Sequence, residues 1–411
     1  MINRRLTLKA DHMLFFLSLY VIGIFVWDYT IVYQAALVIM FGVSLMLYRR
    51  SLLVNSAYNK MLIAFAVYFT FHTLFGFSVR SDLSWDYILT LYINIVASIV
   101  IVRILNNRDA IEKLLKVCIW TAFFATIYIL IADRTNIFSG NLGTYVSKPF
   151  GIGSGYSHND IPWIAGLATC FLSYFKIVNR PVKFHYLLQL FFSIFVILSG
   201  ARKSLILVIF GLIIYPYFIY DETGSAKKLV RVLGAICALI VGCYMLFYND
   251  TLYSLIGYRF EGFLSGLTSG GSFTESSAIT RSIMYQAAID GIVKRPFIGY
   301  GMNTFQTFPG SFGAWSHINY LEIWFSGGLQ AAILYYAFYV YAFMKLLKNR
   351  NDGMGALMFA MVIFMLIHDL LSVSYLSRSA SLVLSMISAY ILIQDRNRVQ
   401  KQNRNIYVAK Y

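Results

Sequence analysis

Arg202 and Lys203 stand in Ser199-Gly200-Ala201-Arg202-Lys203-Ser204, between two hydrophobic runs that lie too close together to leave them anywhere but a membrane edge. They are either interfacial anchors that reach toward water or an anion site. The second reading is favoured because the bias of Lys and Arg toward the cytoplasmic side would otherwise keep them out. Arg281 lies near the start of an amphipathic stretch at 277–293, where a cation opposes the helix dipole but suits a bound anion. A plain surface residue is the alternative. His317, in Ser316-His317-Ile318-Asn319-Tyr320-Leu321-Glu322, is of the type that accepts a proton near neutral pH. Glu322, about a helical turn further on, could orient the ring; the competing reading is a structural histidine. Arg259, Arg295 and His158 are further candidates for substrate binding, although His158 and Asn159 equally suit a helix start before Asp160-Ile161-Pro162. Asp28, alone in the first external turn, ranks below these. His368 and Asp369 are intramembrane and ionisable, and a hydrogen bond between packed helices accounts for them better than chemistry does.

Other chemistries lack their residues. There is no phosphate-binding Gly-x-x-x-x-Gly-Lys-Ser/Thr loop, so no ATP-driven pump is indicated. His-Glu-x-x-His, paired Cys ligands, Asp-x-Asp and a Ser nucleophile elbow are also missing, which leaves a divalent-metal enzyme unsupported and no cofactor implied.

The elements that must position these residues are membrane helices. The chain is 59% hydrophobic and 13% charged, with a mean hydropathy of +0.67. Apolar runs of about 20 residues recur along its length, as hydrocarbon-spanning helices require. Twelve are expected, near 12–27, 30–48, 61–78, 87–105, 114–132, 160–178, 185–200, 203–220, 229–248, 319–344, 354–371 and 376–394. Backbone polar groups must be paired in lipid, so the fold class is all-α, a polytopic integral membrane protein in one domain. With both termini cytoplasmic, 24 of the 34 basic residues fall inside and 10 outside, while the acids divide 7 to 11.

Two extracytoplasmic loops then exceed a turn, 133–159 and the long 249–318 with its amphipathic helix. Ile279, Ile283, Met284, Ala287, Ala288 and Ile292 recur there at helical spacing. Cys118, Cys170, Cys237 and Cys243 all fall in expected helices, which argues against disulfides. The net charge of +16 follows from orientation and contact with membrane lipids, and no nucleic acid need be invoked. The first span simply begins the series, so no cleavable signal is expected.

Four segments, in this order, resemble the O-antigen ligase and O-antigen/capsule polymerase (Wzy) superfamily. They are Pro149-Phe150-Gly151-Ile152-Gly153; Ser199 to Leu205; Thr280 to Tyr285 running on through Lys294-Arg295-Pro296 to Gly299-Tyr300-Gly301; and His317 to Leu329. The likeness covers about 150–330. The family commonly has Asn or Ser directly after the His, whereas here Ile318 intervenes and Asn319 follows. The resemblance implies a GT-C-like membrane glycosyltransferase in the bacterial cytoplasmic membrane. Its substrate would be an undecaprenyl-diphosphate-linked oligosaccharide, with a flippase and chain-length regulators as possible partners. Arg202 and Arg281 would hold the diphosphate, and His317 would assist the acceptor hydroxyl.

The reading preferred on these grounds is a repeat-unit polymerase for O-antigen or capsular polysaccharide. The nearest alternative is a ligase that moves finished O-antigen to lipid A-core. A transporter or flippase would cluster its polar residues at midplane on broken helices, whereas here the charges gather at one face. A membrane scaffold leaves the basic loop unexplained.

Overall fold

The computed structural model of the chain describes residues 2–26, 31–48, 56–132, 160–199, 201–219 and 276–409, with Tyr244 and Tyr248 between. Its described residues form helices and connecting turns, with no strand among them. In chain order the helices are α1 (Ile2–Val26), α2 (Ile31–Tyr48), α3 (Ala57–Leu74), α4 (Ser81–Ile104), α5 (Arg108–Ala132), α6 (Asp160–Ile177), α7 (His185–Ser199) and α8 (Arg202–Ile209), which runs on as π-helix over Phe210–Ile219. After the undescribed stretch come α9 (Ser276–Lys294), α10 (Asn319–Leu347), α11 (Gly353–His368) and α12 (Arg378–Ala409). Local chemistry sets several starts. Ser56 caps α3 by accepting the Asn59 N–H at 3.0 Å, and Asp352 caps α11 by accepting that of Gly355 at 3.3 Å.

Among the described residues, three helices are long and apolar enough to cross a bilayer: α4, Arg108–Ile131 of α5, and α10. Shorter apolar helices account for Met13–Phe25, Tyr33–Leu47, Ile161–Ile177, His185–Ser199, Lys203–Pro216 and Gly353–His368. Val38, Met46, Phe124 and Ile131 point outward and are well exposed, which fits a lipid-facing surface. This is an all-helical integral membrane protein. Eleven of the expected spans fall on described helices; the ninth, 229–248, lies outside the described residues except at Tyr244 and Tyr248. So do the loop 133–159 and the first part of the long loop, 249–275, whereas 276–318 is seen.

Helix α6 is central, packing against α5, α7, α8 and the π-helical continuation. Gly166 permits the approach of α8: a Cβ there would stand 2.8 Å from Leu207 Cβ and 3.0 Å from Ser204 O. This contact seats the start of α8, and with it Arg202 and Lys203. Helix α3 packs on α4 and α10, and α10 on α11. Polar side chains bridge the helices where lipid cannot satisfy them. Ser98 Oγ donates to Asn59 Oδ1 at 2.7 Å, and Ser385 Oγ to Ser98 Oγ at 2.9 Å.

Around the starts of α5 and α11 the charges are paired. Arg108 meets Asp352 at 2.8 Å, Tyr174 Oη donates to Glu112 at 2.6 Å, and Tyr390 Oη to Asp352 at 2.7 Å. Lys345 near the end of α10 meets Asp395 of α12 at 3.0 Å.

Helix α10 is broken at Gly328, whose φ of 69° and ψ of −173° take it out of the helix. Segment 296–301 fills the break. Tyr300 N donates to Phe325 O at 3.0 Å, Gly301 N to Ser326 O at 2.7 Å, and Leu329 N to Pro296 O at 2.9 Å. Tyr68 Oη of α3 supplies Gly327 O. A Cβ on Gly328 would lie 1.9 Å from Phe297 O, so nothing larger than glycine fits beside that backbone. Phe325 O, Ser326 O, Gly327 O and Leu329 N are thereby paired at the break, as a broken helix in a membrane protein requires.

Candidate functional site

Helix α9 is the amphipathic element expected from the sequence, and its buried stripe is narrower than the pattern suggested. Met284, Ala288 and Ile292, four residues apart, pack with Tyr300, Phe305 and Phe325 into a small core of their own. Ile279 and Ile283, read from spacing as part of the apolar face, are exposed instead. The docked face leaves Arg281 half-buried. Its charge acts on Tyr285, one turn further along the same helix, where burial pushes the phenol up and the guanidinium opposes it.

Beyond α9 the chain returns through a short 3₁₀ turn, Thr304–Thr307, to His317. There the backbone adopts a φ of 61°, uncommon for a residue with a side chain. Two anchors over-determine that conformation. On one side, Ser316 N donates to Glu322 Oε2 at 2.9 Å and Ser316 Oγ to Ile318 O at 3.1 Å. On the other, Asn319 uses all of its amide. Its Nδ2 donates to Asp369 Oδ2 at 2.9 Å and Tyr336 Oη at 3.1 Å, and its Oδ1 accepts Ser374 N at 2.9 Å and Tyr375 N at 3.1 Å. Asp369 also accepts from Tyr336 Oη at 3.0 Å and from Ser374 Oγ. Asn319, Glu322 and Asp369 are wholly buried.

Burial holds the His317 imidazole below its ordinary range, and the positive charges of Arg281 and Lys203 lower it further. The ring is therefore neutral at neutral pH. The charges of Lys203 at the start of α8 and Arg281 in the first turns of α9 thus both act on His317, two residues before α10. A half-buried neutral imidazole beside two fixed cations is suited to binding an anion and taking up a proton next to it.

Two sequence expectations are adjusted, and one open point is decided. Glu322 does not orient the imidazole; its carboxylate receives the Ser316 N–H and so acts on the backbone that carries His317. Asn319 is likewise consumed in anchoring α10 to α11 and α12, and is not available to assist the ring. Arg295 does not join Arg281. It follows the far end of α9, about 20 Å away at 1.5 Å per helical residue, with its guanidinium 5.0 Å over the Tyr300 ring. Arg202 opens α8 next to Lys203, but its side chain lies outside the described residues, as do His158 and Arg259. Asp369 fills the packing role expected of it, and His368 Nδ1 stands 3.9 Å from it. Sequence reasoning missed the clamp that Asn319 makes with Tyr336, Ser374 and Tyr375. Its one visible signal was an amide side chain at the very start of a long apolar run.

Fold and site together combine apolar, membrane-type helices with a half-buried imidazole on which two cations act. Residues 187–336 match the family described as O-antigen ligase, which supports the superfamily resemblance read from the sequence. The matched stretch runs from α7 to the middle of α10, and so includes Lys203, Arg281 and His317. No curated protein matches the chain.

Proposed function

We propose that the chain is a polysaccharide repeat-unit polymerase. It would act on undecaprenyl-diphosphate-linked glycan at the outer face of the bacterial cytoplasmic membrane, with both termini cytoplasmic. The observation that carries the reading is the neutral His317 imidazole flanked by Arg281 and Lys203, all within the segment matched to the family. An acceptor sugar hydroxyl attacks the anomeric carbon of the lipid-linked donor. The bond from that carbon to the diphosphate oxygen breaks, its electron pair stays on the diphosphate, and the hydroxyl proton passes to His317. Diphosphate is already a good leaving group, so the principal demand is fixed positive charge where negative charge develops. Arg281, Lys203 and Arg202 supply it, the arginines with a fork that matches phosphate oxygens in pairs. No ATP or divalent metal enters this scheme.

The test is reconstitution of purified enzyme with lipid-linked repeat units and without lipid A-core. A ladder of polymer is expected. Product that forms only when lipid A-core is added would overturn the polymerase reading and make the protein a ligase.

A further inference from the structure

Away from His317, a cavity of about 440 Å³ is lined by Gly76, Phe77, Lys294, Arg295, Pro296, Phe297 and Ile298. Its place in the fold is a bilayer edge, because Gly76 and Phe77 form the turn that leads into α4, a helix long and apolar enough to cross a membrane. Phe75, Phe77, Phe297 and Ile298 are all well exposed around it. Aromatic and aliphatic side chains in such a ring belong in the acyl and headgroup region of a membrane, not in water. Among the described residues neither Lys294 nor Arg295 has an acidic partner, and neighbouring Arg80 is already neutralised by Asp82 at 2.8 Å. The support is rigid. Segment 296–301 is bonded into the α10 break, His72 Nε2 lies 2.8 Å from Ile298 O, and Tyr300 O accepts Val79 N at 2.8 Å. Arg295 is further held over Tyr300.

We infer that this pocket binds the phosphate headgroup of an anionic bilayer lipid. Lys294 and Arg295 face the phosphate, and the exposed Phe77, Phe297 and Ile298 lie against the glycerol and upper acyl chains. The charge and apolar groups are complementary to such a lipid at the depth where its headgroup sits. The inference stands apart from the polymerase reading, since the site is remote from Arg281 and its test reads lipid retention, not product.

Full-length protein in neutral detergent would be titrated with phosphatidylglycerol or phosphatidylcholine and examined by native mass spectrometry. Wild type should retain phosphatidylglycerol preferentially. Each basic residue near an anionic lipid is worth about fivefold, so the double variant Lys294→Gln/Arg295→Gln should bind phosphatidylglycerol roughly 30-fold more weakly. Phosphatidylcholine binding should be unchanged. The charge-conserving Lys294→Arg/Arg295→Lys should retain phosphatidylglycerol as wild type does. If the double variant does not purify as a monodisperse species, Arg295→Gln alone should show the fivefold loss. Unaltered phosphatidylglycerol retention in these variants, or an equal loss of both lipids, would overturn the site. So would a preference of more than tenfold for undecaprenyl phosphate over phosphatidylglycerol, which would reassign the pocket to the lipid carrier.

Discussion

Replacing Arg281 should produce two separable effects, because its charge acts on His317 and, in the proposed scheme, on the departing diphosphate. A charge-assisted hydrogen bond is worth about 1.5–3 kcal/mol, so Arg281→Ala should lower turnover by about 10- to 150-fold. The second effect is on pH dependence. His317 works as a base only when neutral, and burial together with Arg281 and Lys203 holds its pKa below the ordinary value of about 6.5. Wild-type activity should therefore persist below that pH before it falls. Removing Arg281 takes away one of the charges that oppose protonation, so the acid limb should move to higher pH. Arg281→Lys keeps the charge but loses the paired fork. It should give intermediate turnover with the acid limb close to wild type. The assay is polymer yield in proteoliposomes across a pH series, at matched amounts of inserted protein, so that a folding defect is not counted as a catalytic one. Wild-type turnover in Arg281→Ala would leave Arg281 as a surface anchor. A large loss of turnover with an unmoved acid limb would keep the diphosphate contact but separate Arg281 from His317.

Three more outcomes follow from the same arrangement. With the native cysteines replaced, Thr307→Cys should label with an impermeant thiol reagent in right-side-out vesicles and Gln402→Cys only in inverted ones; the opposite pattern would reverse the topology and remove the outer-face mechanism. Polymer synthesis should survive excess EDTA, since the cations of the site are guanidinium and ammonium groups; loss that magnesium or manganese restores would refute the metal-free scheme. Asn319→Ala strands the Ser374 and Tyr375 N–H groups at about 1–3 kcal/mol each and takes one donor from Asp369. Its thermal unfolding midpoint should fall and its turnover drop through a loosened His317, and an unchanged midpoint would count against the clamp.

The sequence made the helices legible because their signal is strong: about 20 apolar residues in a row admit one backbone solution in lipid. The amphipathic α9 was also readable, from apolar residues at helical spacing. Its buried stripe was not, since Ile279 and Ile283 carry the same local signal as Met284 and differ only in what lies opposite. Arg281, Lys203 and His317 could be singled out one by one, as basic residues where the charge bias disfavours them. Their meeting depends on how α8, α9 and the start of α10 pack, and no local pattern encodes that. The role of Glu322 was misjudged, and that of Asn319 left open, for a related reason. A carboxylate and an amide beside a histidine suggest help to the ring, but whether they face the side chain or its backbone is decided by turns such as Ser316-His317. The break at Gly328 likewise looks in sequence like a tolerated Gly-Gly pair, and only the threading of 296–301 makes it obligatory.

The distribution of unpaired charge ties these features to function. At the end where α5 and α11 begin, Arg108, Lys345 and their neighbours have acidic partners, and those pairs hold the helix termini together. In α9 and the residue after it the balance differs, for Arg281, Lys294 and Arg295 have no acidic partner among the described residues. Two of the acids nearest His317 are occupied elsewhere, Glu322 with Ser316 and Asp369 with Asn319, Tyr336 and Ser374. The charges of Arg281 and Lys203 lower the proton affinity of His317, a cost that a stable fold has no reason to retain. A bound anion removes the cost. The same anion, if it is a departing diphosphate, appears where the neutral imidazole is ready to take a proton.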